Sequence, residues 1–428
     1  MRLLGSLMTT FESLPSAVPP LNRAKTLGEL SLCAYENIDE LSALRPAWDT
    51  LLSLYPPATT FSTWEWLSSW WNSFGTNRQL LTLALFDSGR LVGLAPFSIC
   101  KERVGWFSLR VLRLMGDGSG DSDNLDLPVQ PGFESALAES VLRSLRQRRR
   151  QWDVCLLNTL PPDSLTGRRL GEMLSSSGHT FYEYSSRSSA VPLPQSWELY
   201  SQALSSEDRN NLARYTRRLQ RRYSTRIYRC AKADQLPLHL EALFRLHQGR
   251  WRIAGEPGSF SSAERREFYQ QLSFRLLARG WLELWVLELN REIAAVQFAF
   301  RYGEKVFQLQ EGYDHERSSD RPGYVLRGEV LKQLISEKVR TYDFLGGEDP
   351  YKTRWGACEG HYRRLHFAPR LSAGGLYLQF VDKVSKSKNW LRKKLPGSVW
   401  RVLHSANVAL LARPSPQAKD GSKAIRRR

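Results

Sequence analysis

The chain has 428 residues, 42% hydrophobic and 24% charged, with a formal net charge of +18. That length allows two ordinary domains, and the composition excludes a low-complexity chain. Its five cysteines (Cys33, Cys100, Cys155, Cys230, Cys358) are scattered with no CxxC pair, and the seven histidines lack metal-ligand spacing. This speaks against a disulfide framework and a metal site, and for a reducing compartment. No run approaches the ~18–20 apolar residues of a spanning helix. The expectation is a cytoplasmic protein, with peripheral contact at the inner membrane face as an option.

Residues 1–29 read as a disordered leader. "FSTWEWLSSWWNSFG" (61–75) predicts a helix capped by Ser62 or Thr63, with its tryptophans in the core. "LTLALFDSGRLVGLAPF" (81–97) aligns without gaps to "LELWVLELNREIAAVQF" (282–298), and Gly89 falls on Asn290. Each copy reads as a strand, a tight turn and a strand. In each half a further strand, a polar loop, an amphipathic helix (133–147; 323–339) and a closing strand (152–160; 341–347) follow. The repeated order predicts two similar α/β domains in tandem, 30–190 and 191–375. "SSEDRNNLARYTRRLQRRY" (205–223) predicts a strongly basic helix, either a solvated face or a contact for an anionic partner. Residues 376–428 hold 13 Lys or Arg against Asp382 and Asp420, set among apolar residues. That is the composition of a basic amphipathic tail, suited to an anionic membrane or to packing on the domain.

No phosphate loop of the GxxxxGK type occurs. The acids of "GDGSGDSDN" (116–124) would repel phosphate. The chemistry-bearing residues gather in the second half. His247, Arg250 and Trp251 share adjacent turns of a helix ending near Gly255. "LQEGYDHERSSDRPGYVL" (309–326) leaves a strand at Glu311 and enters a helix at Pro322-Gly323. A helix start offers free amides to a phosphate or oxyanion, and Pro suits its first turn. In "TYDFLGGEDPYKTRWG" (341–356), Asp343 sits in an otherwise apolar strand, a costly place for an unsatisfied carboxylate. Lys352, between Tyr351 and Trp355, could steady negative charge, and Tyr351 could donate a proton. A capped sheet edge with Asp343 in a salt bridge is the structural alternative.

The order His247-x-x-Arg250-Trp251, Gly258-x-Phe260, the hairpin 282–298, Pro322-Gly323, Tyr342-Asp343-Phe344, Gly347 and Tyr351-Lys352-x-x-Trp355 resembles the CelD/BcsL acetyltransferase group of the GNAT superfamily. The resemblance spans roughly residues 35–370 and is most specific over 243–356. The segment "DFLGGEDPYKTRWG" is also similar to the close of the Fem-type aminoacyl transferases. The resemblance implies an α/β (α+β) fold of tandem GNAT-like domains, each a mixed sheet flanked by helices, with the second domain catalytic. It implies acyl transfer to an amine or hydroxyl of an envelope polysaccharide, lipid or related precursor, with acyl-CoA as co-substrate and no bound cofactor or metal. Lys352, Asp343, Tyr351 and Glu311 would be the catalytic set. His247, Arg250, Trp251, Arg321, Gly323, Tyr324 and Trp355 would hold the donor. The family's Arg/Gln-x-x-Gly-x-Gly/Ala loop is reduced here to Arg321 and Gly323, so acyl-CoA, acyl carrier protein and aminoacyl-tRNA all remain as donors. Two rival readings stand beside this one: a Fem-like tRNA-dependent transferase, and a non-enzymatic membrane or nucleic-acid binder.

Overall fold

Two hairpin turns organise the two halves. In the computed structural model, Ser88-Gly89 and Asn290-Arg291 all have positive φ, the geometry of two-residue turns that match strand twist. They join β2 (Arg78–Asp87) to β3 (Arg90–Val104) and β8 (Leu282–Leu289) to β9 (Glu292–Tyr302). The gapless sequence match is therefore one residue out of register at the turn, where Gly89 corresponds to Arg291. The structure describes residues 29–394 except 105, 254, 256, 257 and 348, with the side chains of 104, 250 and 388–394 also outside the description. The leader and the tail beyond 394 lie outside it.

The first half runs β1 (Leu30–Tyr35), α1 (Ile38–Ser42), α2 (Arg45–Ser53), α3 (Trp64–Phe74), β2, β3, β4 (Phe107–Leu114), α4 (Glu134–Gln147), β5 (Val154–Leu160), α5 (Leu165–Ser175) and β6 (His179–Pro192). After α6 (Trp197–Ala203) and the basic α7 (Ser206–Arg222), the order repeats. The second half is β7 (Thr225–Arg229), α8 (Leu236–Ile253), α9 (Ala263–Ala278), β8, β9, β10 (Lys305–Tyr313), α10 (Pro322–Ser336), β11 (Thr341–Gly346), α11 (Pro350–Thr353) and β12 (Cys358–Pro369). A last helix, α12 (Ala373–Lys394), follows. Thr63 caps α3 through the Trp66 amide, and Trp66 and Trp70 are buried, as expected of a core face.

The halves exchange their last strands. One twelve-stranded sheet has the order β1-β2-β3-β4-β5-β12-β6-β11-β10-β9-β8-β7. β12 pairs with β5 of the first half, and β6 pairs with β11 of the second. Among the described residues only β4–β5 and β10–β11 are parallel. The sequence boundaries at 190 and 375 fall inside β6 and α12. Helices α3, α8 and α9 share a core on one face of the sheet, and α6, α7 and α10 enclose a second core on the other.

The acidic glycine loop between β4 and α4 braces the two halves. Asp121 accepts from Arg265 Nε (2.8 Å) and the Tyr269 hydroxyl (3.0 Å) on α9. Asp123 accepts from the Gly346 amide at 2.9 Å, and Asn124 donates to the Tyr362 hydroxyl at 3.2 Å. Further on, Leu125, Leu127 and Val129 enter the core, and Val129 bridges Gly93 of β3. Asp126 is buried and accepts from the Tyr55 and Ser164 hydroxyls and the Leu127 amide. Burial pushes its carboxyl up to about 6, against the pull of those donors. A folded-state pKa raised above the unfolded one makes the folded state bind the extra proton. Stability from this group therefore rises as pH falls from above 6 towards 4. Two units correspond to roughly 3 kcal/mol. In urea unfolding from pH 7 to 5, wild type is expected to gain on Asp126→Asn by somewhat under half of that, roughly 1.3 kcal/mol, the rest coming below pH 5. Parallel pH slopes would contradict it.

Candidate functional site

β10 and β11 pair at only three positions, Lys305↔Thr341, Val306↔Tyr342 and Phe307↔Asp343, and then part. On β11 the cause is local. Asp343 Oδ1 accepts from the Leu345 amide at 2.7 Å, Leu345 adopts φ 62°, and the pairing with β6 slips. The carboxylate that looked out of place in an apolar strand builds the kink that turns this strand away. It is half-buried, and desolvation pushes its pKa up to about 6, with the Leu345 amide pulling down and Asp123 pushing up.

On β10 the register shifts between Gln308 and Gln310. Leu309 packs on the core beneath α8 and α9, and Gln310 reaches the Tyr269 hydroxyl on that same face. Without the extra residue the alternation would send Glu311 to that face as well. The bulge instead delivers Glu311 to the α10 side, where it pairs with Arg327. Beyond Phe307 this edge of β10 has no strand beside it among the described residues.

α10 begins at the mouth of this splay. Arg321 is left-handed (φ 54°), Pro322 occupies the first turn, and no side chain caps the helix. The first-turn amides thus have no acceptor within the helix. The only acid of the preceding turn, Asp320, is 2% exposed and directed away. It accepts from Arg218 Nε and Arg222 Nη1 (both 2.8 Å) and from the Tyr223 hydroxyl (2.9 Å). The basic helix α7 thus neutralises the acid that would oppose an anion, and its Leu212 lies against Gly328 of α10.

A cavity of about 620 Å³ opens here, lined by Tyr215, Glu311, Tyr313, Ser318, Ser319, Arg321, Gly323, Tyr324, Arg327, Tyr351, Arg354 and Trp355. Glu311 is the only acid among these, facing three arginines. The Arg327 guanidinium is buried and lies 5.3, 5.0 and 5.7 Å from the ring centres of Phe344, Tyr351 and Trp355. Its pKa stays raised despite burial because of Glu311. The Tyr324 ring meets that of Trp355 at a tilt, 4.7 Å between centres, and its hydroxyl donates to the Asp208 carbonyl at 3.2 Å. Burial pushes its hydroxyl up to about 12.

Six of the sequence-predicted residues meet in this cavity: Glu311, Arg321, Gly323, Tyr324, Tyr351 and Trp355. Others do not. Lys352 is buried, and its ammonium spends its donors on the carbonyls of Phe344 (3.2 Å), Gly346 (2.9 Å) and Gly347 (3.0 Å). It thereby clamps the turn after β11, and it does not line this cavity. Burial draws its pKa down, opposed by Asp349, Asp123 and Asp343. Asp343 Oδ1 is engaged with the Leu345 amide, and Asp343 does not line this cavity. His247 is buried on the opposite face of the sheet. Its Nε2 accepts from Trp251 Nε1 at 3.1 Å, and its ring meets Phe260 at 4.9 Å. Neither His247 nor Trp251 lines the cavity, and the Arg250 side chain is outside the description. Lys352→Met is expected to cost about 1–3 kcal/mol, the penalty for stranding buried carbonyls, measured by urea unfolding. Unchanged stability with lost activity would return Lys352 to the reacting centre.

Sequence reasoning missed Arg327, Arg354, Tyr215, Tyr313, Ser318 and Ser319. Only Arg327 left a trace. It stands four residues before Leu331, on a helix face otherwise Leu, Val and Ile. In the first half the chain past β4 lays Leu125, Leu127 and Val129 into the core and pairs with β3 through Val129 and Gly93.

Residues 206–353 match the family model described as acetyltransferase (GNAT) domain. No curated protein matches the chain. Among solved structures, a crystal structure of FemX is similar at TM-score 0.53 and 12% identity, over 75% of this chain and 95% of that one. A conserved protein of unknown function from Bacteroides thetaiotaomicron VPI-5482 is similar at TM-score 0.49 and 13% identity (77% and 97% covered). A tandem GNAT protein from the clavulanic acid biosynthesis pathway is similar at TM-score 0.44 and 13% identity (81% and 99%). The likeness to FemX is one of fold. The chain carries a GNAT domain over 206–353, and its class is that of the acyltransferases. The non-enzymatic reading is set aside on that match.

Proposed function

We propose that the second half transfers an acyl group from a thioester donor, acyl-CoA or acyl carrier protein, to an amine or hydroxyl. The acceptor we favour is an envelope polysaccharide, lipid or related precursor, after the CelD/BcsL-type resemblance. The observation that carries the donor reading is the uncapped start of α10 opening into an arginine-lined cavity at a strand splay. Anionic phosphates suit the first-turn amides with Arg321 and Arg354. The bare edge of β10 beyond Phe307 suits the thioester carbonyl, whose oxyanion would take backbone N–H groups. The acceptor nitrogen or oxygen attacks the carbonyl carbon, and Glu311 takes its proton. The C–S bond then breaks, and the thiolate takes a proton from Tyr351, which solvent restores.

Arg321→Gly is the informative variant, because glycine accepts the left-handed conformation at no cost while the guanidinium is lost. We expect KM for acyl-CoA to rise about 10- to 100-fold, the worth of a charged hydrogen bond, with the unfolding midpoint unchanged or raised. An unchanged KM would sink the assignment of this helix start to the donor phosphates. One observation favours an aminoacyl-tRNA donor as second reading. Arg214, Arg217, Arg218, Arg221 and Arg222 of α7 line a recess of about 400 Å³ that a polyphosphate chain could follow. Saturable tRNA binding that collapses with added salt, with no turnover of any acyl-CoA, would select it.

A further inference from the structure

α12 has apolar side chains on both sides. Its inner side places Leu378 in a small core with Leu109, Val111, Val154, Leu156 and Ala368. Its outer side exposes Leu376 and Phe380, each at 57%. Beside it, the β3–β4 hairpin ends in Trp106, which is fully exposed. The neighbouring Phe107 ring meets Tyr377 at 5.8 Å and Phe380 at 6.4 Å, so hairpin tip and helix form one face. Just before the helix, Leu371 is exposed in a recess with Arg149, Arg150 and Arg370. The acids near this face are held in ion pairs: Asp153 with Arg110, Glu102 with Arg113, Asp382 with Lys386.

We propose that this face docks on an anionic lipid surface. Three features select that occupant over a protein partner. The apolar side chains protrude singly and do not line a groove, so a soft phase receives them better than a complementary pocket. A tryptophan ring is an amphipathic body that favours the headgroup boundary. The acids around the face are matched by cations while Arg149, Arg150 and Arg370 add positive charge, and the chain from 376 onward carries 13 cations against two acids. The face stands on the first half and is independent of the donor.

The test is sedimentation of the full chain with vesicles of phosphatidylcholine alone, or with about 30% phosphatidylglycerol, at about 0.1 M salt. We expect binding only to the anionic vesicles. The pair Trp106→Ser and Phe380→Ser should lower vesicle affinity by at least about tenfold. The unfolding midpoint should stay unchanged, since both side chains are exposed. Absence of binding to anionic vesicles overturns the proposal. So does a double variant that binds as well as wild type, which would assign binding to the charged tail alone. Self-association by sedimentation velocity, lost in the variant and without vesicle binding, would make the face a contact between copies.

Discussion

Glu311→Gln is expected to lower kcat by about 10²- to 10⁴-fold, the usual worth of a positioned general base, with a smaller change in KM for the donor. The chain brings one carboxylate to the cavity wall, and it does so through the shift between Gln308 and Gln310. A bulge costs ladder hydrogen bonds, so a side chain delivered by one is the thing to test first. Glutamine keeps an acceptor for Arg327 and has nearly the same volume, but it cannot take the acceptor's proton. Steady-state kinetics with a fixed acyl-CoA and varied amine would separate the two effects. A kcat within about twofold of wild type would mean that Glu311 serves only to hold Arg327, and that solvent removes the proton.

What was legible in the sequence was local. Asn290 and Gly89 announced their hairpins, the run 205–223 announced the basic helix α7, and Pro322 announced the start of α10. The repeated element order disclosed two like halves before any contact was known. The strand exchange was not legible, because nothing in the alternation of β6 or β12 says which neighbour it will take. The same limit hid the loop 116–130. In the sequence its acids read only as repelling phosphate, because their partners, Arg265, Tyr269 and the Gly346 amide, lie far along the chain. Lys352 is hard to read for a related reason. A lysine between aromatics in a glycine turn suits a catalytic cation and a carbonyl clamp equally, and only the fold shows the three carbonyls that its ammonium meets. His247 and Trp251 sat on a helix of the right half, yet which face of the sheet receives that helix is a tertiary fact.

Replacing Arg327 by leucine is expected to destabilise the fold by about 3 kcal/mol and to weaken donor binding with it. The Arg327 side chain is 5% exposed and Glu311 22%, so the pair sits at the low end of the ~3–5 kcal/mol found when one partner of a buried ion pair is removed. Two losses combine. Glu311 is left in a cavity wall without its cation, and Phe344, Tyr351 and Trp355 lose a guanidinium at 5.0 to 5.7 Å. A desolvated cation–π contact is itself worth about 2 kcal/mol or more. Leucine fills part of the space, which keeps the cavity term small. The two losses separate in a double-mutant cycle. If the ion pair dominates, Glu311→Gln in the Arg327→Leu background should recover about 1–2 kcal/mol, because the stranded charge is gone. If the rings dominate, the double variant should be no more stable than Arg327→Leu alone. Arg327→Lys discriminates further: it keeps the charge but loses the planar stack and the fork towards Glu311. An intermediate urea midpoint is expected, with KM for the donor nearer to that of Arg327→Leu, since Tyr351 and Trp355 are the walls that the guanidinium holds in place. A loss under about 1 kcal/mol for Arg327→Leu, with no coupling to Glu311, would show that water replaces the guanidinium at little cost.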